Sequence, residues 1–230
     1  MGRTSQVLLI DADDTLWENN LRFKRTIDSF LGLVAPLGYA DDYIRAMIEQ
    51  TELKNIRRRG YGMSSFLSTL EEVYLKLAGH RAEESHRREI RRLSRHLVEE
   101  PPKVFDGVTE TLAYLSGRHR LLLFSKGNAE EQSQKVAGSG LVTYFESFEI
   151  VPEKNEAAYR VVVERHRLRP RTVWMVGDSP RSDINPALAI GLNAVFIPSP
   201  HPWDYEQETI QPGTGQLLVL NSFGELREHF

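Results

Sequence analysis

From Val104 onward the sequence alternates short apolar runs with amphipathic stretches, and that alternation leaves few folds open. Helical patterns over 107–116, 129–137, 156–166 and 186–190 separate apolar runs at 120–125, 147–151, 172–176 and 194–197. A further strand is expected near 217–220, and a last helix from Ser222 or Phe223 to His229. Strands separated by helices pair in parallel through right-handed crossovers, so both faces of the sheet are covered by helix. The chain is therefore read as α/β. Val7-Leu8-Leu9-Ile10 adds one more buried strand near the N-terminus.

Between that first strand and Val104 the pattern is helical throughout. Leu21, Phe23, Ile27, Phe30, Leu31 and Val34 recur at helical spacing, and Pro36 with Gly38 closes the first helix. A second helix is expected from Asp41 or Asp42 and is broken by Arg57-Arg58-Arg59-Gly60-Tyr61-Gly62. A third runs from Ser64 or Ser65 to Gly79, and a fourth carries Ile90, Leu93, Leu97 and Val98 before Pro101-Pro102. Residues 1–16 and 104–230 are thus expected to form the α/β domain, with a helical bundle over 17–103 inserted in it.

Composition narrows the functional classes. Of 230 residues 40% are hydrophobic and 27% charged, and the net charge is −3, so no bulk electrostatic term favours nucleic acid or a membrane surface. The paired arginines at 87–88 and 91–92 sit beside Glu83, Glu84 and Glu89 and read as a solvated helix face. The absence of cysteine removes disulfides, thiolate zinc sites and thiol nucleophiles. The seven histidines show no metal-ligand spacing. No apolar run reaches the roughly 18 residues of a membrane span, and the early first strand leaves no room for a signal peptide. A cytoplasmic location is the expectation.

In a parallel sheet every strand delivers its carboxyl end to one edge, where open α/β sheets bind ligands. The residues following the strands here are Asp11-Ala12-Asp13-Asp14-Thr15, Ser125-Lys126-Gly127-Asn128, Pro152-Glu153-Lys154, and Gly177-Asp178 through Asp183. Carboxylates, one hydroxyl and one lysine should meet there. For the first cluster a helix N-cap is the competing reading, with Asp13 or Asp14 capping. Capping explains poorly why acids follow two different strands.

Asp11-x-Asp13-x-Thr15, Ser125 after an apolar strand, Lys154 and Gly177-Asp178-x-x-x-x-Asp183 stand in the order and spacing of the haloacid dehalogenase-like (HAD) hydrolases, and the sequence resembles their phosphatase branch from about Val7 to Pro198. The resemblance implies a Rossmann-like core with a helical cap and a Mg2+-dependent phosphomonoesterase acting on a small phosphorylated metabolite, as monomer or homodimer. It implies Asp11 as nucleophile and Asp13 as general acid and base. The ion would be held by Asp11, the Asp13 carbonyl and Asp178, with Asp183 in or beside the shell. Thr15, Ser125, Gly127 and Lys154 would bind the phosphoryl group. Lys126 is either a substrate contact or a solvated turn residue. The chemistry agrees: a carboxylate can attack phosphorus, and a neighbouring carboxyl can shuttle the proton. A cation with oxygen-only ligands would offset the repulsion between nucleophile and phosphate.

Two alternatives accompany that reading. A phosphotransferase or sugar-phosphate mutase would use the same residues with a hydroxyl in place of water. A receiver-type signalling domain would share the acids, hydroxyl and lysine but lacks an inserted bundle. Around the site, Trp17 is expected either to stack on an aromatic leaving group or to pack a hinge, and Glu18, Asn19 and Asn20 to line the entrance. Arg57-Arg58-Arg59 is read as a solvated run or an anion grip. The loop 201–206 is expected to pack at the hinge.

Overall fold

The computed structural model describes residues 5–230, without the side chains of His96, Val98 and Glu99. The first four residues, on which the no-leader expectation partly rests, and the apolar-face role of Val98 lie outside the described residues. The chain divides into two compact units, Met1–Asn20 with Pro102–Phe230, and Leu21–Pro101.

The first unit is built on six parallel strands: β1 Val7–Ile10, β2 Arg120–Lys126, β3 Ser147–Val151, β4 Val173–Gly177, β5 Asn193–Phe196 and β6 Leu217–Val219. Their order is β3-β2-β1-β4-β5-β6. Successive strands step outward in one direction from β1 to β3, and then in the other from β4 to β6. The reversal falls between β1 and β4, which pair from Val7↔Val173 to Ile10↔Val176. A crevice opens at such a switch point beyond the carboxyl ends.

All four side chains of β1 are buried, and their alternation assigns them to two faces. Leu8 and Ile10 pack with Leu121, Leu123, Val176, Leu112 and Leu226. Val7 and Leu9 pack with Leu122, Phe124, Tyr159, Val162 and Met175. Burial of each such side chain is worth about 1.5–3 kcal/mol, which is why the central strand carries no polar residue until it ends.

The helices in chain order are α1 Asn20–Val34, α2 Asp41–Arg59, α3 Met63–Ala78, α4 Glu84–Glu99, α5 Val108–Ser116, α6 Ala129–Gly138, α7 Glu156–Arg165, α8 Asn185–Ala189 and α9 Leu226–His229. The second unit is α1 to α4, closed on a core that includes Phe30, Val34, Ile44, Ile48, Phe66, Leu70, Val73 and Ile90. Phe23 meets Phe66 edge-on at 4.8 Å. Arg57, Arg58 and Arg59 do not break α2; they are its last turn, where cations complement the helix dipole, and the break comes at Gly60 with φ +80°. Arg87 and Arg91 pair with Glu84 and Glu71, and Arg92 with Glu89, as an exposed ion-pair face should. Among the described residues no helix is long and apolar enough to cross a membrane.

The chain leaves the sheet unit and returns to it through a paired stem. Trp17 bridges Val104 antiparallel, the Glu18 N–H donates to Lys103 O at 3.0 Å and the Phe105 N–H to Leu16 O at 2.9 Å.

Candidate active site

The edge residues are positioned by the strands that end in them. The Asp11 N–H donates to Val176 O at 2.9 Å, so Asp11 still follows the sheet ladder beside β4. Asp178 follows β4 directly. The turn Pro180–Ile184 is wound as a single π-type turn. Asp183 folds back over this turn, its carboxylate accepting the Ser179 N–H at 3.1 Å. Gly177 makes that return possible, since a Cβ there would lie 2.2 Å from Asp183 Oδ2. Tyr159 fixes the turn from α7, its hydroxyl donating to Ser182 O at 2.9 Å and Asp183 O at 3.1 Å.

Asp11, Asp178 and Asp183 are buried, and one carboxylate oxygen from each lies within 4.8 Å of the others. Lys154 is buried with them and donates to Asp11 and, at 2.6 Å, to Asp183 Oδ1. Thr15 Oγ1 donates to Asp178 Oδ1 at 3.4 Å. Three buried carboxylates therefore lie beside one ammonium, which is bound to two of them. Burial, opposed by Lys154 and reinforced by the Asp183 charge, pushes the Asp11 carboxyl up to about 7. Burial and the charges of Asp11 and Asp183 likewise raise Asp178 well above the carboxylate range. Burial works against the Lys154 charge, but Asp11 and Asp183 outweigh it and hold the ammonium above the ordinary lysine range. One ammonium against three carboxylates leaves the cluster short of positive charge, and the carboxylates offer hard oxygens, a set that fits a divalent cation such as magnesium.

Asp13 lies two residues away in a contrasting environment. Its Oδ1 accepts from the Trp17 indole at 2.7 Å and its Oδ2 from Gln132 Nε2 at 2.8 Å, while Lys135 Nζ donates to both at 2.9 Å. Lys135 also donates to Asn19 Oδ1 at 2.8 Å. Burial alone would raise Asp13, but the Lys135 charge and these hydrogen bonds win, holding the carboxyl below its usual range. Trp17 is fully buried, so it packs the stem and does not stack on a ligand.

Asp14 caps, as one reading of the sequence had it. It stands in the left-handed region at φ +62°, and its carboxylate accepts the backbone N–H groups of Asn19 and Asn20 at the start of α1.

Ser125 is buried at the end of β2, two residues beyond Leu123, which pairs with Ile10. Gly127 takes φ +134° to turn the chain into α6, whose first turn is capped by the Asn128 side chain. Lys126 is no solvated turn residue: its ammonium is bound to Glu206 and, at 2.8 Å, to Ser182 Oγ. The loop 201–206 thus reaches the carboxyl edge of the sheet through Glu206.

Gln132, Lys135 and Glu206 were missed by sequence reasoning. The first two were accessible in principle, because α6 begins at the carboxyl edge and positions 132 and 135 share one of its faces. Glu206 gave no signal, being one acid in a loop 80 residues from its lysine.

The family model of the haloacid dehalogenase-like hydrolases matches residues 6–191. The chain belongs to this family and is a HAD-like hydrolase. A comparison with curated proteins found no significant match. Among solved structures, a HAD-like family hydrolase from Xanthomonas campestris is 26% identical, with a TM-score of 0.85 over 98% of this chain and 90% of that one. YfnB from Bacillus subtilis, described as a HAD hydrolase and solved with magnesium bound, is 20% identical, with a TM-score of 0.66 over 99% of each chain. L-2-haloacid dehalogenase from Xanthobacter autotrophicus is 16% identical, with a TM-score of 0.66 over 98% of each chain. The last two likenesses bear on the fold alone.

Proposed function

We propose that this hydrolase is a magnesium-dependent phosphomonoesterase acting on a small phosphorylated metabolite through a phosphorylated Asp11. The observation that carries the reading is the pair of unlike carboxylates, Asp11 in a charge-deficient cluster and Asp13 beside it in a cage of donors. A phosphate ester needs both. Its expelled alkoxide must be protonated, whereas a displaced halide needs no proton. Asp13 therefore favours phosphoryl transfer over dehalogenation.

Asp11, Asp178 and Asp183 would hold the ion, with the Asp13 carbonyl as a further oxygen donor. When bound, it supplies charge neutralisation between the nucleophile and the phosphoryl oxygens. Asp11 attacks phosphorus as the ester P–O bond breaks; Asp13, which the structure holds ionised, takes a proton from solvent when Lys135 releases it and gives that proton to the departing oxygen. Asp13 then takes a proton from water, whose oxygen attacks phosphorus and releases phosphate, restoring Asp11. Lys154 holds Asp11 in place and balances charge, and Ser125 with the Gly127 turn receives the phosphoryl oxygens. The α1–α4 unit is read as the cap that selects the leaving group.

The experiment is hydrolysis of p-nitrophenyl phosphate with magnesium and with chelator, beside Asp11→Asn and beside 2-chloropropionate as a dehalogenase substrate. Metal-dependent phosphate release lost in Asp11→Asn supports the reading. Chloride release without phosphatase activity overturns it.

A further inference from the structure

Glu206 lies beyond residue 191, where the family match ends, yet its side chain is buried on the carboxyl edge of the sheet. It belongs to the short turn Asp204–Glu206, and both of its carboxylate oxygens are engaged. Oε1 takes the ammonium of Lys126, the residue after Ser125. Oε2 accepts from Ser182 Oγ and, at 2.6 Å, from Ser179 Oγ. Ser179 in turn accepts the Ser182 N–H at 2.9 Å, and Lys126 also donates to Ser182 at 2.8 Å.

These contacts join two loops at the carboxyl edge of the sheet. One carries Ser125 and Gly127, the expected phosphoryl cradle; the other is the turn between Asp178 and Asp183. Both serines that Glu206 holds lie inside that turn, on either side of Pro180 and Arg181. Burying a carboxylate costs free energy, and three polar contacts, one of them from an ammonium, offset it.

We infer that Glu206 is a positioning residue that clamps the Asp178–Asp183 turn to the phosphoryl-binding loop and so sets the affinity of the acidic cluster for magnesium. It touches none of the three carboxylates. It acts through Ser179 and Ser182, whose backbone carries the ligands, as outer-shell groups do at metal sites. The inference rests on the magnesium reading above. It also withdraws Lys126 from direct substrate recognition, since the lysine's charge is spent on Glu206.

The test is calorimetric titration of magnesium into the wild-type chain, Glu206→Gln and Glu206→Asp, with melting temperature measured in chelator and KM and kcat measured separately. Glu206→Gln is expected to weaken magnesium binding about 10–100-fold. KM for the phosphate ester at saturating magnesium should change much less, and Glu206→Asp should recover part of the loss. A role in stability alone would lower the melting temperature and leave magnesium affinity intact, which overturns the inference. Should Glu206→Gln fail to fold, the Ser179→Ala/Ser182→Ala pair breaks the same clamp without stranding a charge. Unchanged magnesium affinity there overturns it equally. A wild-type chain that binds no magnesium overturns the metal reading and this inference together, whereas wild-type binding that the variants retain overturns only the clamp.

Discussion

Asp11 and Asp13 are two residues apart on one strand end, and the fold treats them in opposite ways. Asp11 shares one ammonium with Asp183, and its carboxyl is pushed up to about 7. Asp13 has two cationic or amide donors from α6 and an indole to itself, and its carboxyl is held down. The first region is short of positive charge; the second is saturated with donors. On the proposed function, that difference separates a place where a cation and a phosphoryl group gain most from a place where a proton-transferring group is stored.

The largest effect should come from breaking the charge-deficient side. Asp11→Asn removes the proposed nucleophile, and turnover of any phosphate ester is expected to fall by on the order of 10⁴-fold or more, with the melting temperature in chelator not reduced. Steady-state kinetics beside a thermal melt checks both halves. On the saturated side, Asp13→Asn keeps the shape but cannot move a proton, and kcat should drop about 10²–10⁴-fold with magnesium affinity retained. If magnesium affinity fell as much as kcat, the two regions would not be functionally separate.

Lys135→Met sharpens the comparison further. Asp13 keeps Trp17 and Gln132 but loses the Lys135 ammonium, so it is held less firmly. A loss of up to about 10²-fold in kcat is expected, with KM little changed. Equal activity in this variant would mean that the cage has no part in turnover.

The smallest effect is read in pH. Asp11 and Asp178 bind protons more readily folded than unfolded, so between their unfolded values near 4 and about 7 the metal-free native state holds more protons than the unfolded one. Stability without metal is then greatest at the acid end of that window and is lost as pH rises through it. Magnesium competes with those protons. A hundredfold excess over its dissociation constant is worth about 2.7 kcal/mol, and the increment in melting temperature should be larger at pH 8 than at pH 5.5. Differential scanning fluorimetry with and without chelator decides it, and an increment that grows toward acid would contradict the site's electrostatics.

Much of this was legible in the sequence because it follows from local pattern. The apolar run before Asp11 and the acids after it place a buried strand with its carboxyl end at a ligand edge. The same logic applies to Ser125 and Asp178, so the topology of a parallel sheet brings the three segments together without knowledge of any contact. The bounds of the strands and most helices followed from periodicity to within a residue or two. What periodicity cannot show is pairing at long range. The match of Lys126 with Glu206, the cage from Gln132 and Lys135, and the tyrosine hydroxyl on the Asp183 turn depend on tertiary geometry. Arg57 to Arg59 misled for a different reason: a charge run before glycine resembles a break, although the cations are what a helix end favours.

The central claim is that a phosphoryl group passes through Asp11. Its most direct test is acid quenching during turnover of a radiolabelled phosphate ester, followed by digestion and location of the label. The account predicts a hydroxylamine-sensitive label on the peptide that carries Asp11, absent from Asp11→Asn. Phosphate release with no label on that peptide, or with the label on another residue, would contradict it.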